Sequence, residues 1–241
     1  MRAMIFAAGD GKRMRPLTND CPKPLLKVRG RPLIVWQILN LVRAEITEIV
    51  INHSRLGEMI EEELGDGSKY GAKIAYSAEE EPLETAGGVA RARHLLGDAP
   101  FVAVSGDIYC PHFDFEQVKT VLEDNDPWGN PHPADKRDVA WLYLVPNPDF
   151  HPKGDFALHS FSIANEGEPG NTYTFGNIGV YRPEIFDGIA PGQHAKLAPI
   201  LRDYADRSQV GGELYRGMWH NVGTPEQLAQ LNAPFSGRPV A

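Results

Sequence analysis

The chain has 241 residues, 42% of them hydrophobic and 23% charged, with two cysteines and a formal net charge of −8. That is ordinary globular composition, long enough to bury about 70% of the unfolded surface with no disulfide or structural metal, and its acidic balance excludes general nucleic-acid or membrane binding. No apolar run reaches the ~20 residues of a bilayer span, and the N-terminus turns to glycine and charge too early for a signal peptide, so the reading is a cytoplasmic protein whose distant Cys21 and Cys110 stay reduced.

Residues 2–8 (RAMIFAA) form a continuous apolar run that stops at Gly9-Asp10-Gly11, as a buried parallel strand does. Residues 12–31 follow with seven bases and one acid, a net of +6 that leaves −14 for the rest of the chain. Such a loop suits a small polyanionic ligand; composition alone leaves a solvated surface loop equally open. Pro32 then opens a helical pattern through Leu33, Trp36, Ile38, Leu41 and Val42. Strands are predicted at 48–52, 72–77 and 101–107, and helices at 55–64 and 87–96, so strand and helix alternate over the first 125 residues. That rhythm predicts a parallel, doubly wound sheet with its ligand crevice at the carboxyl ends of the strands, where Gly9, Asn52 and Asp107 fall.

Residues 125–138, with three prolines and no apolar period, read as a surface loop or insertion. Beyond it the pattern is richer in strand, at 139–145, 155–160 and 172–181, with helices at 197–205 and 225–231. The predicted organisation is one domain over 1–232, with a first half (1–124), the insertion (125–138) and a second half (139–232), then a tail at 233–241. The fold class is α/β, a Rossmann-like, mostly parallel central sheet flanked by helices, with a mixed sheet in the second half.

The glycine loop fits neither common nucleotide motif. A dinucleotide fingerprint lacks its third glycine, because Met14 stands there ahead of Arg15-Pro16, and Lys12 is followed by Arg13 rather than the Ser or Thr of a Walker loop. What remains is a strand, a flexible glycine turn and cations displayed from an extended, proline-stiffened loop. Glycines let backbone N–H groups approach phosphate oxygens, Arg13 offers a planar fork, and Lys23 offers a point charge between Pro22 and Pro24. The eight histidines show no metal-ligand spacing.

The stretch AAGDGKRMRPLT (7–18) with Pro22-Lys23-Pro24, followed in order by PLETAGGV (82–89), SGD (105–107), NIGVY (177–181) and WHNVGT (219–224), resembles the signature of the sugar-1-phosphate nucleotidyltransferases over nearly the whole chain. Segments 52–71, 81–88, 153–156 and 195–202 are most similar to the short branch of that family that uses N-acetylmuramate 1-phosphate. The resemblance implies uridylyl transfer from UTP to that sugar 1-phosphate, giving UDP-N-acetylmuramate and pyrophosphate, with Mg²⁺ as cofactor, in peptidoglycan sugar recycling. Mannose 1-phosphate with GTP, and glucose 1-phosphate with UTP or dTTP, are the alternatives within the same chemistry. A catalytically silent nucleotide-sugar-binding regulator is a third, to which Asn221 is the only pointer. The implied partners are the two small-molecule substrates, with no nucleic acid and no membrane, on a monomer or weak homo-oligomer.

The family pattern also implies roles residue by residue. Arg13 would hold the β- and γ-phosphates and Lys23 the reacting phosphates. Asp107 would bind Mg²⁺ beside the sugar phosphate, and Asn221 would be the second metal ligand where the family usually has an aspartate. Nucleotide contacts fall to Ala8, Gly9, Gly11, Leu83, Thr85 and Gly88, with Glu80 or Glu81 as side-chain readers; close approach of a base or ribose would justify Gly87-Gly88. The sugar side would use Gly154, Asp155 and Asn177 or Gly179, with Lys153, Lys196 or Arg202 as the cation for an anionic substituent.

Overall fold

The computed structural model describes residues 1–122, 137–168 and 170–234. The segment predicted as an insertion at 125–138 and the tail beyond 234 lie almost wholly outside the described residues. The opening apolar run forms β1 (Arg2–Phe6), which turns Ala3 and Ile5 to one side of a sheet and Met4 to the other, each fully buried. A strand with two dry faces belongs inside a sheet covered by helices on both sides.

The first half continues with β2 (Lys27–Val28), β3 (Arg31–Pro32), α1 (Leu33–Arg43), β4 (Glu48–His53), α2 (Gly57–Leu64), β5 (Lys73–Ala78), α3 (Glu84–Leu96), β6 (Phe101–Ser105) and β7 (Ile108–Tyr109). The second contains β8 (Ala140–Val145), β9 (Phe156–His159), β10 (Ser162–Ala164), β11 (Thr172–Tyr181), α4 (Leu197–Asp206), β12 (Val210–Leu214), β13 (His220–Asn221) and α5 (Pro225–Asn232). Nine strands make one sheet in the order β5-β4-β1-β6-β11-β8-β12-β10-β9. The block β5-β4-β1-β6 is parallel throughout and has the strand order of a Rossmann half. β11 runs antiparallel to both β6 and β8 and joins this block to a mixed second half, in which β12 is parallel to β8 while β10 is antiparallel to β12 and β9. The α/β class and the parallel-then-mixed division agree with the sequence reading.

α1 and α2 cover one face through Ile34, Ile38, Leu41, Ile60 and Leu64. α3 and α4 cover the other through Ala86, Val89, Leu197 and Leu201. No helix among the described residues is long and apolar enough to cross a membrane.

Two expectations are corrected. The basic loop is not extended: it winds through 3-10 turns at Lys12–Met14 and Lys23–Leu25 and a small hairpin of β2 and β3. The cause is a separate apolar cluster in which Met14, Val28 and Leu33 of this stretch bury against Tyr109, Val222 and Leu228. Met14, where a dinucleotide fold has its third glycine, is thus the anchor that pulls the loop onto the body. The strand expected over 101–107 stops at Ser105: the N–H of Gly106 still donates to Phe6 O at 2.9 Å as the last rung to β1, and the chain turns over 106–107 into β7.

Both cysteines are free, Cys21 half-buried and Cys110 buried under α1, where burial pushes its thiol up to about 12. A thiol with that pKa is almost entirely protonated at pH 8 and does not react as a thiolate. Titration of the native protein with a disulfide reagent at pH 8 should therefore label at most Cys21, and denaturant should release the second thiol. Rapid labelling of two thiols in the native state would contradict the burial of Cys110.

Candidate active site

The sheet order reverses between β1 and β6, and the two strands end together with Phe6 opposite Ser105. A crevice opens at such a point in α/β sheets. Here it is a cleft of about 270 Å³ lined by Gly9, Gly11, Arg13, Lys23, Asp107 and Gly223 among others. Gly11 has φ +62, and a Cβ there would lie 3.1 Å from Thr18 Cγ2 and 3.2 Å from Lys23 Cβ, so the turn needs glycine on both counts. The Thr18 hydroxyl donates to Gly11 O at 2.8 Å and fixes the same turn.

Lys23 is buried and its ammonium donates to Asp107 Oδ2 in a short ion pair, although a third of the carboxylate side chain stays exposed. Asp107 is itself held in place. Its carbonyl accepts from Val222 N at 3.3 Å, and the buried amides of Gln37 and Asn40 on α1 donate to Ile108 O at 2.9 Å and Cys110 O at 3.0 Å, which fixes the chain on its C-terminal side. Arg13 lies exposed beside Gly223 and has no acceptor among the described residues. Of the seven bases only Lys12, Arg13 and Lys23 line this cleft, and Lys12 pairs with Asp10 at 2.9 Å. Arg15, Lys27, Arg29 and Arg31 face elsewhere, Arg31 over the Trp36 ring at 4.7 Å. The loop's charge is therefore split, with a minority of it at the crevice.

A second cavity of about 600 Å³ adjoins the first, sharing Phe6 and Arg13, and opens between the two halves of the sheet. Thr85, Asp155, Asn177, Lys196, Arg202 and Asn221 line it. Asn177 sits at φ +57 in a bulge where the β11–β8 register shifts between Phe175 and Ile178. Such bulges re-aim side chains beside active sites, and Trp219 Nε1 donates to Gly176 O at 2.8 Å within the same bulge. Asp155 accepts from Phe175 N at 2.9 Å with one oxygen and contacts His151 Nε2 at 3.0 Å with the other. Both oxygens are engaged within the protein, so Asp155 orients His151, a cavity residue the sequence reading did not select.

The predicted residues divide accordingly. Gly9, Gly11, Arg13, Lys23 and Asp107 meet in the small cleft, and Arg13, Thr85, Asp155, Asn177, Lys196 and Asn221 in the large cavity. Ala8, Leu83, Gly88 and Gly154 line neither, nor do Gly179 and Lys153. Glu80 and Glu81 are exposed and outside both; the carboxylate turned inward is Glu79, which accepts from Asn52 Nδ2 at 2.7 Å and Leu83 N at 2.9 Å. Asn52 in turn accepts from Ala7 N at 3.0 Å, so this buried pair ties the end of β1 to the start of α3. The close approaches at Gly87 and Gly88 are made by the protein: a Cβ on Gly87 would lie 2.3 Å from Gln193 O, and one on Gly88 would lie 2.8 Å from both Asn52 Nδ2 and Glu79 Oε1. A run of three glutamates carries no sequence signal for which one is buried.

Asp107 immediately precedes β7, whose Ile108 pairs with Asn221 of β13, so the two residues lie one position apart in adjoining segments. Among the described residues no group of three or more His, Cys, Asp or Glu side chains could hold a metal. One carboxylate and one carboxamide oxygen do fit Mg²⁺, which keeps several waters and is bound through few protein oxygens plus substrate phosphates.

A Rossmann half that ends in a small cleft lined by Arg13 and Lys23, adjoining a larger cavity between the two halves of the sheet, is an arrangement that suits a nucleotidyltransferase. Comparison with known proteins agrees. The family model described as nucleotidyl transferase matches residues 2–127. The chain is 47% identical, over 97% of each chain, to the N-acetylmuramate alpha-1-phosphate uridylyltransferase of Neisseria meningitidis serogroup B. It is 33% identical to the protein of the same name from Caulobacter vibrioides, covering 93% of this chain and 92% of that one. A Bacillus anthracis crystal structure, provisionally named a glucose-1-phosphate thymidylyltransferase, superposes with a TM-score of 0.80 at 21% identity, covering 96% of this chain and 94% of that chain, and shares the fold. The chain belongs to the nucleotidyl transferase family.

The Asn52–Glu79 pair explains why residue 88 is glycine. Gly88→Ala should force that pair apart and lower the unfolding free energy by about 1–3 kcal/mol, read as an earlier urea midpoint with an unchanged slope. Unchanged stability would remove the pair as the reason for the glycine.

Proposed function

We propose that the protein transfers a uridylyl group from UTP to N-acetylmuramate 1-phosphate, releasing pyrophosphate and forming UDP-N-acetylmuramate, as a step in peptidoglycan sugar recycling in the cytoplasm. The observation that carries the reading is the pair of adjoining cavities with Arg13 on their common wall and Lys23 held against Asp107 at the strand ends. Two near full-length relatives that bear this activity in their names support the choice of substrates.

The sugar phosphate supplies a nucleophile already ionised at neutral pH, so no residue need act as general base. The protein's part is to bring two polyanions into line and to offset charge developing on the leaving pyrophosphate. In this reading Arg13, with no acceptor among the described residues, clasps the β- and γ-phosphates in a bidentate fork. Lys23, desolvated and fixed by the 3-10 turn around Pro22 and Pro24, places its ammonium at the reacting phosphates. Gly9 and Gly11 let the backbone approach the triphosphate, while Thr85 lies toward the nucleoside. Asp107 and Asn221 would hold Mg²⁺, which when bound neutralises phosphate charge and favours departure of pyrophosphate. On the sugar side His151, oriented by Asp155, and Asn177 present hydrogen-bonding groups, and Lys196 provides a cation without a protein partner among the described residues.

The test is pyrophosphate release with Mg²⁺ across UTP, GTP and dTTP, each paired with the 1-phosphates of N-acetylmuramate, mannose and glucose. UTP with N-acetylmuramate 1-phosphate should give the highest kcat/KM, and chelation of Mg²⁺ should abolish turnover. Turnover with mannose 1-phosphate and GTP alone would replace these substrates, and silence in every pair would favour a non-catalytic binding protein. Lys23→Ala and Asp107→Ala should each lower kcat/KM by about 10²–10³-fold while circular dichroism stays unchanged; a near-normal rate in either removes that residue from the site.

A further inference from the structure

Among the described residues, two that line the larger cavity and are not glycine hold left-handed backbone: Asn177 at φ +57 and Glu84 at φ +63. The first is accounted for by the bulge in β11, and asparagine tolerates that region. Glu84 is different. It is the first residue of α3, its side chain is exposed, and it makes no hydrogen bond or ion pair with any described residue.

The backbone on both sides of Glu84 is clamped. Leu83 N donates to Glu79 Oε2 at 2.9 Å and Leu83 O accepts from Ala195 N at 3.1 Å, while Ala86 N and Gly87 N both donate to Ala195 O at 3.0 Å. The segment before α4 therefore dictates the left-handed turn, and glycine would meet that demand with no Cβ penalty. The chain instead carries a long carboxylate there, on a residue that lines the cavity. A favourable charge at the start of α3 does not account for it, since the next position offers the same field at ordinary helical angles. Strain of this kind, held by its surroundings at a ligand cavity, marks a functional side chain.

Resting on the substrate reading above, we propose that Glu84 is a specificity-determining residue whose carboxylate accepts a hydrogen bond from an uncharged donor, a hydroxyl or N–H, of the substrate in the larger cavity. A carboxylate is repelled by phosphate, so its partner is the uncharged part of a ligand whose phosphates lie toward Arg13 and Lys23. Two sources carry such donors, the nucleoside through its ribose hydroxyls or base N–H, and the sugar through its hydroxyls or acetamido N–H.

The experiment measures, by calorimetry, binding of UTP with Mg²⁺ and of N-acetylmuramate 1-phosphate, each alone, to the wild-type protein, Glu84→Gly and Glu84→Gln, with melting curves for all three. Glu84→Gly should melt at or above the wild-type temperature and bind one of the two ligands about tenfold more weakly or worse, whereas Glu84→Gln, which keeps an acceptor oxygen, should stay within about threefold. Loss confined to UTP assigns the donor to the nucleoside; loss confined to the sugar phosphate assigns it to the sugar. Wild-type affinities in Glu84→Gly for both ligands overturn the role of Glu84. A wild-type protein that binds neither ligand overturns the substrate reading itself.

Discussion

The ion pair between Lys23 and Asp107 is the contact on which the arrangement of the site depends. It joins a loop that leaves the end of β1 to the turn that leaves the end of β6, across the point where strand order reverses. A lysine taken out of water needs a counter-charge, and a carboxylate at a strand end gains one, so each fixes the other. The pair is supported from both directions. Thr18 and Gly11 set the turn beneath Lys23, and Gln37 and Asn40 on α1 hold the chain just beyond Asp107. Met14, Val28 and Leu33 pin the loop to the body by burying against Tyr109, Val222 and Leu228.

The second constraint is β11. As an antiparallel strand between β6 and β8, it makes one sheet of two halves with different topologies. Its bulge at Gly176-Asn177 interrupts pairing where the larger cavity opens, and Trp219 closes over the bulge through a hydrogen bond to Gly176 O. The two cavities are thereby formed by one continuous sheet and meet at Arg13, which is what a reaction between two bound phosphates requires.

Much of this was legible from the residues. β11 was expected over 172–181 and forms there, since its alternation and β-branched content are strong. The helices α4 and α5 also lie where their apolar periods place them. β12, Val210–Leu214, carries no strand pattern in the sequence because two glycines and a glutamate erase it; it exists because β8 offers a parallel edge. The placement of the candidate site was legible where chemistry and motif coincide, at Gly9, Gly11, Arg13, Lys23 and Asp107, which line one cleft. It was not legible where packing decides, as in Glu79 rather than Glu80 or Glu81, or in Gly87 and Gly88, whose missing side chains make room for protein atoms.

The sequence by itself determined the α/β class, the alternation that builds the parallel half, the family, and the cationic loop at the end of the first strand. These follow from local periodicity and from residue types placed close together along the chain. Only the tertiary structure decided which three of the seven bases reach the crevice, which glutamate is buried, that Asp155 points its oxygens at His151 and a backbone N–H, and that Glu84 stands strained over the cavity. Apart from the contact of Asp155 with His151, four residues away, those outcomes depend on contacts between segments about 20 residues or more apart, and no local pattern encodes which distant partner a side chain will meet.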